Sequence, residues 1–144
     1  MNVSEIMTTG VMCCGMDTTI RDAARMMAEH DCGCLPITEN SDGSGRVVGV
    51  ITDRDMAVRC IAHGMDPNTT LVSHGMTADP MCARPDMSLE ECERMMAEQQ
   101  VRRIPVCGAD GSCIGMVSQA DVALSAPGQD VANVVRNISR PTLV

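Results

Sequence analysis

The sequence contains no Phe, Tyr, Trp or Lys. Without an aromatic ring, no nucleobase can be stacked in the manner of single-strand binders. The eleven basic residues are therefore all Arg, and nineteen acids give a formal net charge of −8. Such a surface repels a polyanion, so nucleic acid is not expected as a main partner. No apolar run approaches the ~20 residues that span a bilayer. The start, MNVSEIMTTG, lacks the basic region and apolar core of a signal peptide. A cytoplasmic chain without membrane association is expected, with its cysteines mainly reduced. None of the nine Cys falls in a CxxC, which argues against a zinc ribbon or a thioredoxin-type site. With no Lys, and no Ser or Cys that the sequence pairs with a His and an orienting acid, an enzyme is not expected.

What the chain does have is 44% hydrophobic residues, fourteen of them Met, which fill irregular core space adaptably. Its 144 residues suffice for one well-cored domain or for two small repeats sharing a core. Self-similarity decides between these. A shift of 69 residues aligns Ser4 to Ile37 with Ser73 to Val106 without a gap, and RMMAE recurs whole at Arg25 and Arg94. Beyond a turn with three extra residues in the first copy, the match resumes at a shift of 66, Gly49 falling on Gly115. We divide the chain into repeat 1 (1–68), repeat 2 (69–126) and a C-terminal helix and tail (127–144).

Both halves read alike. Val11 to Cys14 and Pro80 to Ala83 are short extended entries. Thr19 with Asp22, and Ser88 with Glu91, have capping-box spacing and open helices of about 12 residues. Ile20, Ala24 and Met27 on one, and Leu89, Cys92 and Met96 on the other, form the expected buried faces. CGCLPI and VRRIPV follow as strands whose Pro suggests an edge or a bend. VVGVI and CIGMV read as buried strands, and helices then start at Asp53 and Gln119. The unit is β-α-β-β-α, giving an α+β fold in which two small units pack with pseudo-twofold symmetry. A linker, MDPNTT, carries turn residues at Asp66 to Asn68. After a break at Pro127 and Gly128, Val131, Val134, Val135 and Ile138 form a stripe for docking on the chain itself or on a second subunit.

The most informative stretch is GVITDRD, Gly49 to Asp55, which returns as GMVSQAD, Gly115 to Asp121. A hydroxyl, Thr52 or Ser118, precedes an acid, Asp55 or Asp121, by three places at a strand-to-helix junction. Free N–H groups and the helix macrodipole suit such a junction to hydroxyl-rich or phosphorylated ligands. The same spacing also describes a capping box that serves only the helix itself.

Together LPI, GVITDRD, VRRIPV and GMVSQAD, spread over roughly residues 4 to 125, closely resemble a tandem pair of cystathionine-β-synthase (CBS) domains, the Bateman module. The layout is similar to that of small stand-alone bacterial CBS-pair proteins. The resemblance implies a cleft on each side of the pair for AMP, ATP, NAD, S-adenosylmethionine or another adenosine derivative. It implies that Asp55 and Asp121 hold ribose hydroxyls and that Thr52 and Ser118 lie against ribose or phosphate. It implies that the strand before each Pro, Cys32 to Leu35 ahead of Pro36 (with Cys34) and Val101 to Ile104 ahead of Pro105, lines the adenine pocket with the entry segments near Met12 and Met81. Phosphate would fall to Arg54 in the first copy and to Arg102 and Arg103 in the second, each of which could equally be an ordinary surface ion pair. Their counterparts are Ala120, Gly33 and Cys34, so the two clefts should differ. Gln119 in place of Asp53 removes a negative charge beside the second.

The expected role is a non-catalytic regulatory homodimer that signals through an effector protein the sequence does not name, with no obligatory cofactor. Two alternatives stay open. One is a metal or redox sensor using His30, Cys32 and Cys34, or the vicinal Cys13 and Cys14; the other is a scaffold with empty clefts. Against the metal reading, the repeat partners of His30, Cys32 and Cys34 are Gln99, Val101 and Arg103.

Overall fold

The computed structural model describes residues 1–125 and 128–139, the latter with side chains from 132 onward. Two compact units emerge, and neither is one continuous stretch of chain. One gathers Met1–Gly10, Met81–Gly108 and Ile114–Val144; the other gathers Val11–Pro80 and Ala109–Cys113.

In the unit holding repeat 1, β1 (Cys14–Gly15), β2 (Cys34–Thr38), β3 (Val47–Thr52) and β4 (Thr77–Ala78) form one sheet in that order. β1 runs parallel to β2, and the β2–β3 and β3–β4 pairs are antiparallel. The extended entry expected over Val11 to Cys14 thus shrinks to two paired residues. β2 is an inner strand rather than an edge, and Pro36 sits in its middle, opposite Val50. Asp53 N–H donates to the carbonyl of Gly33 at 3.0 Å. Alternation of the antiparallel ladder then puts hydrogen-bonded pairs at 35/51 and 37/49, so Pro36 faces its donor-less nitrogen away from β3. β1 pairs only from Ile37 onward. Proline is tolerated because the strand is locally an edge there.

α2 (Ile20–His30) starts where Thr19 Oγ1 accepts the Asp22 N–H at 3.1 Å. It stops at Asp31, whose φ of 48° is left-handed. Ile20, Ala23 and Met27 are its buried face, while Ala24 is exposed. Ala23 and Ala24 are adjacent and equally small, so periodicity alone chose the wrong one. This face packs with Leu35, Ile37, Ile51, Met56, Cys60 and Val72 into an aromatic-free core. The linker folds back on α2, Arg21 donating to Asn68 Oδ1 at 3.0 Å.

In the unit holding repeat 2, α1 (Val3–Ile6) precedes α4 (Leu89–Gln99), β5 (Arg103–Cys107), β6 (Cys113–Ser118), α5 (Gln119–Ser125) and α6 (Gly128–Ser139). The entry expected over Pro80 to Ala83 reduces to one parallel bridge, Ala83 with Val106. Ser88 Oγ caps α4 by accepting the Glu91 N–H at 3.2 Å, and Gln100 ends it at φ 52°. α2 and α4 thus both open on a hydroxyl cap and close on a left-handed non-glycine residue. Cys92 and Met96 are buried on α4, whereas Leu89 is only half-buried. On α6, Val134 and Ile138 are buried in this unit's own core, but Val135 is exposed. The break expected at Pro127 and the side chain of Val131 lie outside the described residues.

The chain order of the units has a specific cause. Thr8, near the start of repeat 1, exchanges backbone bonds with Met116 of repeat 2, at 2.9 and 3.0 Å. Its counterpart Thr77, near the start of repeat 2, pairs with Val50 of repeat 1. The methionines beside them explain the motif glycines. A Cβ on Gly115 would lie 2.6 Å from Met7 Sδ, and one on Gly49 would lie 2.6 Å from Met76 Sδ.

Candidate functional site

Each unit carries a strand-to-helix corner with the same wiring. At the end of β3, Asp55 Oδ2 accepts the Thr52 N–H at 2.9 Å, and Thr52 Oγ1 accepts the Asp55 N–H at 3.1 Å. At the end of β6, Asp121 Oδ2 accepts the Ser118 N–H at 2.9 Å, and Ser118 Oγ accepts the Asp121 N–H at 3.1 Å. These are reciprocal capping boxes, so one oxygen of each carboxylate is committed to the backbone. Both aspartates and both hydroxyl residues are half-buried. A carboxylate held by its own backbone at a half-open corner is fixed in direction, and its second oxygen can accept further hydroxyl donors.

The helices beyond the corners differ. After β6, α5 is regular. After β3, α3 (Asp53–Asp55) runs into a π-helical stretch, Met56–Cys60, and then a 3-10 turn, Ile61–His63, ended by Gly64 at φ 75°. The π stretch starts at the residue after Asp55. Cys60 there is buried against Gly75, where an added Cβ would lie 2.8 Å from its Sγ.

Of the other residues singled out from sequence, Arg54, Arg102 and Arg103 are exposed beside the corners, and none of them forms a salt bridge among the described residues. Pro36 and Pro105 are buried and Cys34 is 9% exposed, so all three belong to the strand interiors. Met12 is half-buried against its unit's core, whereas Met81 is 49% exposed. Asp53 leans over Gly33, where an added Cβ would lie 2.9 Å from Asp53 Oδ2. Its counterpart Gln119 donates its N–H to the Arg102 carbonyl at 2.7 Å and its side-chain amide to Ser139 Oγ at 3.4 Å.

Two features escaped sequence reasoning. Arg59 Nε lies 3.7 Å from Asp55 Oδ1, a pair that the i,i+4 spacing could have suggested. The Met7–Gly115 and Met76–Gly49 contacts were foreshadowed only by the Met-Thr repeated near the start of each half, at Met7 and at Met76.

The cysteines form no disulfide. A hydrogen bond with Cys113, together with burial, pushes the Cys13 thiol far up. Burial raises Cys14 and Cys60, and it takes Cys92 up to about 11. Raised thiols are poor nucleophiles and poor metal ligands at neutral pH. His30 is exposed at the end of α2, Cys32 is half-buried and Cys34 lies inside β2. Among the described residues, no group of three His, Cys, Asp or Glu is placed to hold a metal ion. No described helix is long and apolar enough to cross a membrane. A separate cavity of about 290 Å³ lies between α4 and α6, lined by Glu90, Arg94, Asn133 and others, and includes no corner residue.

The fold and its corners define a duplicated α+β pair with one hydroxyl–carboxylate box per copy. The CBS domain family matches residues 3–60 and 71–128, and the chain belongs to that family. Hypoxic response protein 1 of Mycobacterium tuberculosis is 36% identical over 137 residues, covering 95% of this chain and 93% of that protein. A crystal structure of Hypoxic Response Protein I with two coordinated zinc ions superposes with a TM-score of 0.78 at 35% identity, over 88% of this chain and all of that one. A crystal structure of CBSX2 in complex with AMP gives a TM-score of 0.71 at 26% identity, over 86% of this chain and 94% of that one.

Proposed function

We propose that this CBS pair is a non-catalytic regulatory module that binds an adenosine-containing ligand of the AMP, ATP or NAD class at its corners. It works as a homodimer and passes ligand occupancy to an effector protein. The observation that carries this reading is the recurrence, at Asp55 and Asp121, of a half-buried carboxylate anchored by one oxygen to Thr52 or Ser118. Vicinal ribose hydroxyls are matched donors for what remains. The AMP named for the CBSX2 structure supports the ligand class. Thr52, Arg54 and Asp55 serve the first corner, and Ser118, Asp121, Arg102 and Arg103 serve the second. The Arg side chains meet the phosphate. With Met and aliphatic side chains in place of aromatic ones beside the adenine, affinity falls on the order of micromolar.

The test exploits the missing chromophores. Lacking Trp and Tyr, the protein barely absorbs near 280 nm, so a 260 nm band released on denaturation reports bound nucleotide nearly without background. Calorimetric titration with AMP, ATP, NAD and S-adenosylmethionine follows. No released band and no heat with any of the four, at millimolar ligand, would sink the reading. The zinc named for the Hypoxic Response Protein I structure favours a second, metal-binding reading. The dispersed placement of His30, Cys32 and Cys34 weighs against it, and metal analysis of the same sample tests it.

A further inference from the structure

The two corners differ at one position, and the difference falls on the oxygen that a ribose would use. In repeat 1, Asp55 Oδ2 is taken by the Thr52 N–H, and Oδ1 faces Arg59 Nε at 3.7 Å. Arg59 Nη1 also donates to the carbonyls of Gly75 and Met76, each at 3.4 Å. The guanidinium is therefore steered onto the carboxylate from the segment that leads into β4. The 66-residue shift puts Ser125 at the matching place in repeat 2. Ser125 Oγ donates to the backbone carbonyl of Asp121 at 2.9 Å and leaves the carboxylate alone. Among the described residues, no cation pairs with Asp121.

We infer that Arg59 sets the first corner's affinity, by holding the Asp55 oxygen that a ribose diol must reach, and that the Asp121 corner is the tighter of the two. This rests on the reading of the corners as adenosine sites. A hydroxyl arriving at Asp55 must share Oδ1 with a guanidinium or displace it. A hydroxyl arriving at Asp121 meets no such competitor among the described residues. The Arg59 and Asp55 side chains are 51% and 18% exposed, so solvent screens the pair and the handicap is modest. It corresponds to about a two- to fivefold difference in dissociation constant.

The test is a reciprocal exchange, read by calorimetric titration of the full chain with AMP. Arg59→Ser makes the first corner resemble the second, and its dissociation constant for AMP should fall about two- to fivefold. Ser125→Arg places a cation one turn beyond Asp121, and the tighter site of the wild-type chain should weaken by a similar factor. Arg59→Ser also gives up two backbone contacts, so a melting curve accompanies each titration; Ser125→Arg leaves those contacts intact and stands as an independent arm. Wild-type binding of AMP with both variants unchanged, or with the signs reversed, overturns the role of Arg59 and leaves the adenosine reading standing. No AMP binding by the wild-type chain overturns both.

Discussion

Replacing Asp121 separates its capping role from the proposed ligand role, because the two use different oxygens. In Asp121→Asn, the side-chain amide oxygen can still accept the Ser118 N–H now bonded at 2.9 Å, so the cap survives in neutral form. The second position becomes an NH2 donor, which cannot accept a ribose hydroxyl. Asp121→Ala removes both functions. Losing a cap costs about 1 kcal/mol, which lowers the melting temperature of a domain this size by about 3–5 °C. Hydrogen bonds to a charged group contribute about 1.5–3 kcal/mol each, so losing one weakens binding about 10- to 150-fold. The expected pattern is a nearly unchanged melting temperature with weakened AMP binding for Asn, and loss in both for Ala. Thermal melts with and without AMP, paired with calorimetric titration, read both quantities on one sample. If Asn keeps wild-type AMP affinity while Ala only melts earlier, Asp121 is a cap and nothing more.

Gly49→Ala should destabilise by about 1–3 kcal/mol, because its Cβ meets Met76 Sδ at 2.6 Å; in urea unfolding, Gly49→Ala combined with Met76→Ala should cost less than the two single changes summed. Ile138→Ala on α6 should cost about 2–4 kcal/mol, since Ile138 is 4% exposed in its unit's core, whereas Val135→Ala should lie within about 0.5 kcal/mol of wild type. The Cys92 thiol is raised in the folded chain from 9.0 to about 11 by burial, so its contribution to stability is complete below pH 9.0 and is lost as pH rises through about 11. Urea midpoints measured across that window should fall, and Cys92→Ala should flatten the decline; an unchanged slope would show that Cys92 does not titrate there.

The duplication and the hydroxyl caps were legible because each is local or repeats at a fixed shift, whereas the left-handed helix ends at Asp31 and Gln100, neither of them glycine, were not. Thr19, Ser88, Thr52 and Ser118 all cap as their spacing to an acid predicts. What the sequence hid was non-local. Nothing within ten residues of Thr8 says that it pairs with Met116, and only that pairing explains why Gly115 must lack a side chain. The inner position of β2 was hidden for a related reason. Proline marks a missing donor, and β1 is simply too short to require one at residue 36. The π-helical stretch after Asp55 has no counterpart in α5, although the preceding motifs align residue for residue.

The capping box and the ligand site need not compete for the same motif. A carboxylate has two oxygens, and in both copies the backbone takes Oδ2. The box thereby fixes the direction of Oδ1 before any ligand arrives, so a bound ribose does not have to immobilise that side chain. Duplication then lets one copy change without the other. Arg59 and Ser125 occupy matching places but act on different atoms, one on the carboxylate and one on the backbone carbonyl. A chain with one handicapped and one open corner responds over a wider range of ligand concentration than a chain with two equal ones. Either single change, Arg59→Ser or Ser125→Arg, makes the two corners alike and should therefore narrow the titration, whereas the two changes combined should leave its width as in the wild-type chain.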